Sequence, residues 1–180
     1  MSITLLQAPA AEPVSVAELT SYLRLVHDTE AALLSRCIVA ARELVEAYAG
    51  RAMVARRLRE TRMRWMAPAG GVVRLEFAPT PQIIAISVRR GGAEPVALSL
   101  PDDLDIDRGE FRLDLFGASS AAPGELRIDY DAGYGAAADA PQALRHATLA
   151  QAAHLFRERD SDGLCDAARA LAAPFVRQRL

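Results

Sequence analysis

Between Ala52 and Tyr130 the chain is cut by Pro and Gly into short runs, and no segment there has the length and spacing of a helix. The runs are RLRETRMRW, VVRLEF, IIAISVRR, LDID, FRLDLF and ELRIDY. Several alternate apolar with polar residues, as half-exposed antiparallel strands do. A repeating parallel-strand architecture needs helices between its strands, so this middle region reads as a meander or sandwich instead.

Helical signals lie on both sides of it. Ser15-Val16-Ala17-Glu18 has the form of a capping box, with the serine hydroxyl accepting from the third backbone NH and the glutamate reaching back to the serine NH. A short helix through about Arg24 is expected to follow. In HDTEAALLSRCIVAARELVEAYAGR, Leu33, Leu34, Cys37, Ile38, Ala41, Leu44, Val45 and Tyr48 recur at helical spacing. Asp28 or Thr29 can cap that helix, and Gly50 supplies a left-handed stop. Helical spacing returns at DAPQALRHATLAQAAHLFRERD, with Asp139 as the expected cap and Pro141 in the first turn. GLCDAARALAAPFVRQRL is expected to be helical up to Pro174, after which the chain projects as a tail.

The fold class predicted is α+β in a single domain, 1–180. Terminal helices at about 15–50 and 139–173 pack as a small bundle, an antiparallel β lobe at about 52–131 is inserted between them, and 174–180 form a C-terminal tail.

A chain of 180 residues with 51% hydrophobic and 24% charged content can bury one ordinary globular core. Its net charge of −2 provides no bulk attraction for nucleic acid or an anionic membrane. No apolar run approaches the roughly 20 residues that cross a bilayer, and no Lys or Arg precedes Arg24, so the expectation is a soluble, unexported chain. Cys37 and Cys165 stand far apart without a Cys-x-x-Cys pattern and read as free thiols.

Chemical motifs are weak. Gly133-Tyr134-Gly135-Ala136-Ala137-Ala138 satisfies a permissive dinucleotide pattern, but the capping signals fall after the glycines and Asp129, Asp131 and Asp139 would repel a phosphate. A glycine corner between sheet and helix is the reading adopted. His146, His154 and Glu158 share a helical face without a third close ligand or metalloprotease spacing. Asp102, Asp103, Asp105 and Asp107 open like a calcium loop, yet Asp107 and Leu113 stand where that loop needs Gly and Glu. No catalytic, cofactor or metal residue is assigned.

The segment from Arg51 to Arg64 holds Arg51, Arg56, Arg57, Arg59, Arg62 and Arg64 against only Glu60. Without interleaved aromatics beyond Trp65, it reads as a solvated strand face or one paired with acids of a neighbouring chain. A DNA-binding accessory protein using this face is the alternative function. The long helix adds Ala31, Ala32, Ala40, Ala41 and Ala47 to its larger apolar residues, so two faces can pack. Leu34, Ile38, Arg42 and Val45 are expected at a subunit interface.

One resemblance covers nearly the whole chain. The order of Tyr130 to Gly135, an Asp-x-Pro-x-x-Leu helix start at Asp139 to Leu144, and His-Leu-Phe-x-x-Arg beginning at His154 resembles the head-tail connector, or adaptor, family of long-tailed bacteriophages. Pro13-Val14-Ser15, Leu23-Arg24, Ile38 to Arg42, Tyr48, Gly50-Arg51-Ala52, Arg64-Trp65 and Pro79 to Ile86 follow the same order. The ending, Leu171 to Leu180, looks like that of adaptors in alphaproteobacterial gene transfer agents, a phage-like particle.

The resemblance implies a non-catalytic structural protein without cofactors, assembled in the bacterial cytoplasm and placed at the particle neck. It would form a homo-oligomeric, twelvefold ring, with the portal protein on one side and a stopper or tail-completion protein on the other. DNA would pass through the lumen without specific binding, and no membrane would be involved. Phe175, Val176, Arg177, Arg179 and Leu180 are the implied portal-binding residues.

Overall fold

The computed structural model describes residues 1–25, 30–65, 71–113, 124–158 and 163–177. The architecture is mixed α+β, with four α-helices, a five-stranded antiparallel sheet and a two-stranded sheet among these residues. Two compact units divide the chain: Met1–Ala8 with Arg56–Gly133, and Pro9–Ala55 with Tyr134–Leu180.

The first unit is built on strands β1 (Ser2–Gln7), β2 (Arg56–Trp65), β3 (Val72–Arg74), β4 (Gln82–Arg89), β5 (Val96–Leu98), β6 (Glu110–Arg112) and β7 (Gly124–Ala132). The large sheet has the order β1-β2-β7-β4-β5, and β3 pairs with β6. Alternation along β2 and β7 turns Leu58, Leu126, Ile128 and Tyr130 inward, where Ile83, Ile86 and Val88 of β4 join them. Val73, Leu75, Phe111 and Leu113 are buried around the small sheet. Glu60 is wholly buried but compensated: both of its oxygens are used, one by Arg62 and one by the Glu76 backbone NH at 3.0 Å. That pairing is what makes a carboxylate tolerable inside the lobe.

Three expectations change here. LDID is not a strand, because Asp105 makes only an isolated bridge to Glu110 before a turn; its acids cap that turn, with Asp105 Oδ1 accepting from the Arg108 NH at 3.0 Å. β5 escaped the sequence reading. So did β1, which draws the first eight residues into the β unit, so the lobe is not a single insertion.

The second unit holds helices α1 (Val16–Leu23), α2 (Ala31–Ala49), α3 (Gln142–Arg157) and α4 (Asp166–Ala172). The capping box forms at α1: Glu18 N donates to Ser15 Oγ at 3.2 Å and Ser15 N to Glu18 Oε2 at 2.7 Å. The Ser15 NH, together with the Ser15 hydroxyl that donates to the same oxygen at 2.8 Å, holds the Glu18 carboxyl below its ordinary range. Gly50 ends α2 at φ 65. The proposed caps Asp28 and Thr29 lie outside the described residues.

α2 packs on α3 through two apolar clusters. Leu34, Ile38 and Ala41 meet Leu19, Val14, Ala152 and Ala153 in one, and Val45, Ala49 and Met53 meet Leu144, Ala147, Ala168 and Ala172 in the other. The many alanines on both sides let the helix backbones approach closely. Gln151, fully buried, spans the link to α4 by accepting from the Cys165 NH at 2.8 Å and donating to the Gly163 carbonyl at 2.9 Å.

Candidate functional site

The residues expected at a subunit interface are packed inside their own chain. Leu34, Ile38 and Val45 are 1%, 1% and 0% exposed within their own chain, so they form its core. Arg42 is buried for a different reason. Its Nε donates to Glu12 Oε2 at 2.7 Å and its Nη1 to Glu46 Oε2 at 2.9 Å, while Glu46 Oε1 accepts the Met53 NH at 2.6 Å. The flanking carboxylates hold the Arg42 guanidinium charged against its burial. One arginine and one glutamate thereby bind the segment before α1, α2 itself and the turn after it. Helical periodicity identified the face correctly, but it could not say whether that face turns toward its own chain or another. Exposed positions on α2 are Ala31, Ala32, Ser35, Arg36, Ala40, Glu43 and Ala47.

The C-terminal segment also departs from the expected projecting tail over its described part. After α4, a 3-10 turn at Ala173–Phe175 contains Pro174, and the chain then folds back on the end of α2. The Arg177 NH donates to the Ala49 carbonyl at 3.2 Å, and Arg51 Nε donates to the Phe175 carbonyl at 3.4 Å. A Cβ on Gly50 would stand 3.2 Å from Arg177 Cδ, so the arginine stem lies across that glycine. Both cations sit where a helix presents its negative end. Phe175 packs against the Val45 cluster, whereas Val176 is 38% exposed. Arg179 and Leu180 lie outside the described residues.

Three arginines of the arginine-rich strand, Arg57, Arg59 and Arg62, are paired with acids of their own chain. Arg57 makes a two-pronged pair with Asp131 at 2.8 and 3.1 Å, and Arg59 makes one with Asp129 at 2.7 Å for both prongs. Arg62 pairs with Glu60, and Arg89 and Arg127 both pair with Glu125, whose carboxyl they hold below its ordinary range. Arg56 is buried with its guanidinium 5.1 Å from the Phe77 ring centre. The acids that pair Arg57 and Arg59 come from β7, about seventy residues away in sequence, so a linear reading of the run overstates its free positive charge. A gel-shift titration is predicted to show no binding with a steep salt dependence, since these phosphate-seeking groups are already occupied. A steep slope abolished by Arg57→Ala and Arg59→Ala would contradict this.

The glycine corner is filled by its own carboxylate. Asp139 Oδ2 accepts the Ala136 NH at 2.8 Å, and a Cβ on Gly135, at φ +127, would stand 2.6 Å from the same oxygen. Asp139 therefore closes the corner rather than capping α3, whose first residue is Gln142 and whose cap position is Pro141. α3 starts after the glycines, so its N-terminus does not open at this corner as a dinucleotide-binding helix would. His146 stacks edge-on with Tyr22 and His154 pairs with Glu158 at 3.7 Å. Among the described residues no group of three or more His, Cys, Asp or Glu could hold a metal ion, and no helix is long and apolar enough to cross a membrane. Both cysteines are free, Cys37 buried and Cys165 at the start of α4.

No protein-family model matches this chain, and no curated protein does. Solved structures match it over its full length. A chain in the neck of an empty gene transfer agent particle, the neck computed with C6 symmetry, superposes with a TM-score of 0.77 at 24% identity, covering 100% of this chain and 97% of that one. A chain in the virion of a native gene transfer agent particle gives 0.78 at 23% identity with the same coverage. This chain has their fold. A third, from the neck of a native particle computed with C12 symmetry, gives 0.71 at 24% identity, again over 100% and 97% of the two chains. Because both units are spanned, the fold is shared as a whole and not through one widespread lobe.

Proposed function

We propose that this chain is a structural, non-catalytic subunit of the neck of a phage or phage-like gene transfer particle. Copies assemble into a ring between the portal and the stopper or tail, around a lumen through which DNA passes without being gripped. The observation that carries this reading is the full-length fold likeness to chains in gene transfer agent necks computed with C6 and C12 symmetry. A paired rather than free arginine face is consistent with a surface that does not hold DNA.

Portal contact is assigned to the C-terminal segment. The fold-back at Ala49 to Arg51 holds Arg177 against the end of α2, with Val176 exposed beside it. Arg179 and Leu180, a charged and an apolar side chain, belong to the same assignment as its anchors. Subunit contacts fall to the outward residues of α2, since Leu34, Ile38, Arg42 and Val45 are committed to the interior.

Deletion must therefore be made after Arg177, because removing 174–177 would also strip the contacts to α2. Loss of 178–180 is expected to leave thermal melting unchanged and to abolish co-precipitation with the portal protein. Undiminished co-precipitation would overturn the docking assignment.

A further inference from the structure

Among the described residues the large sheet ends in two unlike edges without a further strand, and their side chains match each other. At one margin, β1 reads SITLLQ, six residues without a charge, Pro or Gly, the devices that ordinarily guard a strand edge. Its register sets Ile3 beside Glu60 and Leu5 beside Leu58, so both continue the inward apolar row of the sheet. Yet Ile3 is 36% exposed, Leu5 53% and Leu6 41%. At the other margin, β5 opens the stretch Val96-Ala97-Leu98-Ser99-Leu100, in which every second residue is apolar. Its register sets Val96 beside Val88 and Leu98 beside Ile86, continuing the same row outward. Val96 is 62% exposed and Leu100 49%.

The apolar face thus runs past its own cover at both ends of one sheet. Pro95 and Pro101 bracket the second stretch. Lacking an NH, they stop a ladder at either side and leave a five-residue window, close to the six of β1.

Resting on the ring reading above, we infer that β1 of one copy pairs with residues 96–100 of the next copy, so that sheet edges join subunit to subunit. Two different patches on opposite margins of one sheet make a head-to-tail contact, the type that closes into a ring when its rotation permits. Main-chain bonds supply the registry, and Ile3 and Leu5 are covered by Val96, Leu98 and Leu100 of the neighbour. An isologous contact of β1 with β1 would leave the second apolar margin in water.

The test uses Thr4→Cys and Ala97→Cys, both at exposed positions, combined with Cys165→Ser in the chain as assembled in particles from a producing host. A short bismaleimide is expected to yield species at integer multiples of the chain mass from the double variant and none from either single one. Monomer alone, with the protein present at the particle neck, overturns the edge pairing and leaves the ring reading standing. Absence of the wild-type chain from particles overturns both. Separately, Leu5→Glu and Val96→Glu are each expected to keep the circular dichroism spectrum while lowering incorporation roughly tenfold or more. Normal incorporation of both would overturn the pairing whatever the cross-linker gives.

Discussion

Replacing Glu46 with alanine is expected to destabilise the chain by about 3–5 kcal/mol, read as a shift of the urea midpoint at unchanged slope. The carboxylate is 1% exposed and has two demanding partners, the Arg42 guanidinium at 2.9 Å and the Met53 NH at 2.6 Å. Alanine leaves a buried cation with only Glu12 and the exposed Glu43 beside it and orphans a buried NH, each a desolvation cost without a return. Arg42→Ala is expected to fall in the same range, and the double variant to cost much less than the two single losses combined, because both remove one network. Additive effects, or a loss under about 1 kcal/mol for Glu46→Ala, would show that water already satisfies these groups.

Leu34→Ala and Ile38→Ala are each expected to cost about 2–5 kcal/mol in the isolated chain. Both side chains are 1% exposed between α1, α2 and α3, so truncation opens a cavity that rigid neighbouring helices cannot close. The loss should not depend on protein concentration. A subunit interface behaves otherwise: its truncation leaves the monomer's melting intact and weakens only association. Unchanged monomer stability with weakened association would return these residues to the interface and contradict their assignment to the core.

What the sequence made legible was local. The capping box at Ser15 and Glu18, the glycine stop at Gly50 and the periodicity of α2 each depend on neighbours within four residues, and all three form. β2, β4 and β7 were readable because one face of each is buried, which imposes alternation. β1 was not, since all six of its residues are exposed and only pairing with β2 makes it a strand. LDID failed the opposite way: its alternation comes from acids that close a turn.

The candidate site was harder still, because its meaning lies in partners distant in sequence. Arg57 and Arg59 find Asp131 and Asp129 only once β2 lies beside β7. Arg177 returns to Ala49 across most of the chain. Pro174 signalled the end of a helix, but nothing near it signals where the chain then goes.

The most direct test of a neck subunit is native purification of a tagged chain from its own host, with negative-stain microscopy and mass spectrometry of what accompanies it. The proposed role predicts tailed particles carrying the tag at the junction of head and tail, together with portal and tail proteins. A soluble monomer without any particle protein, from cells that are producing particles, would contradict it.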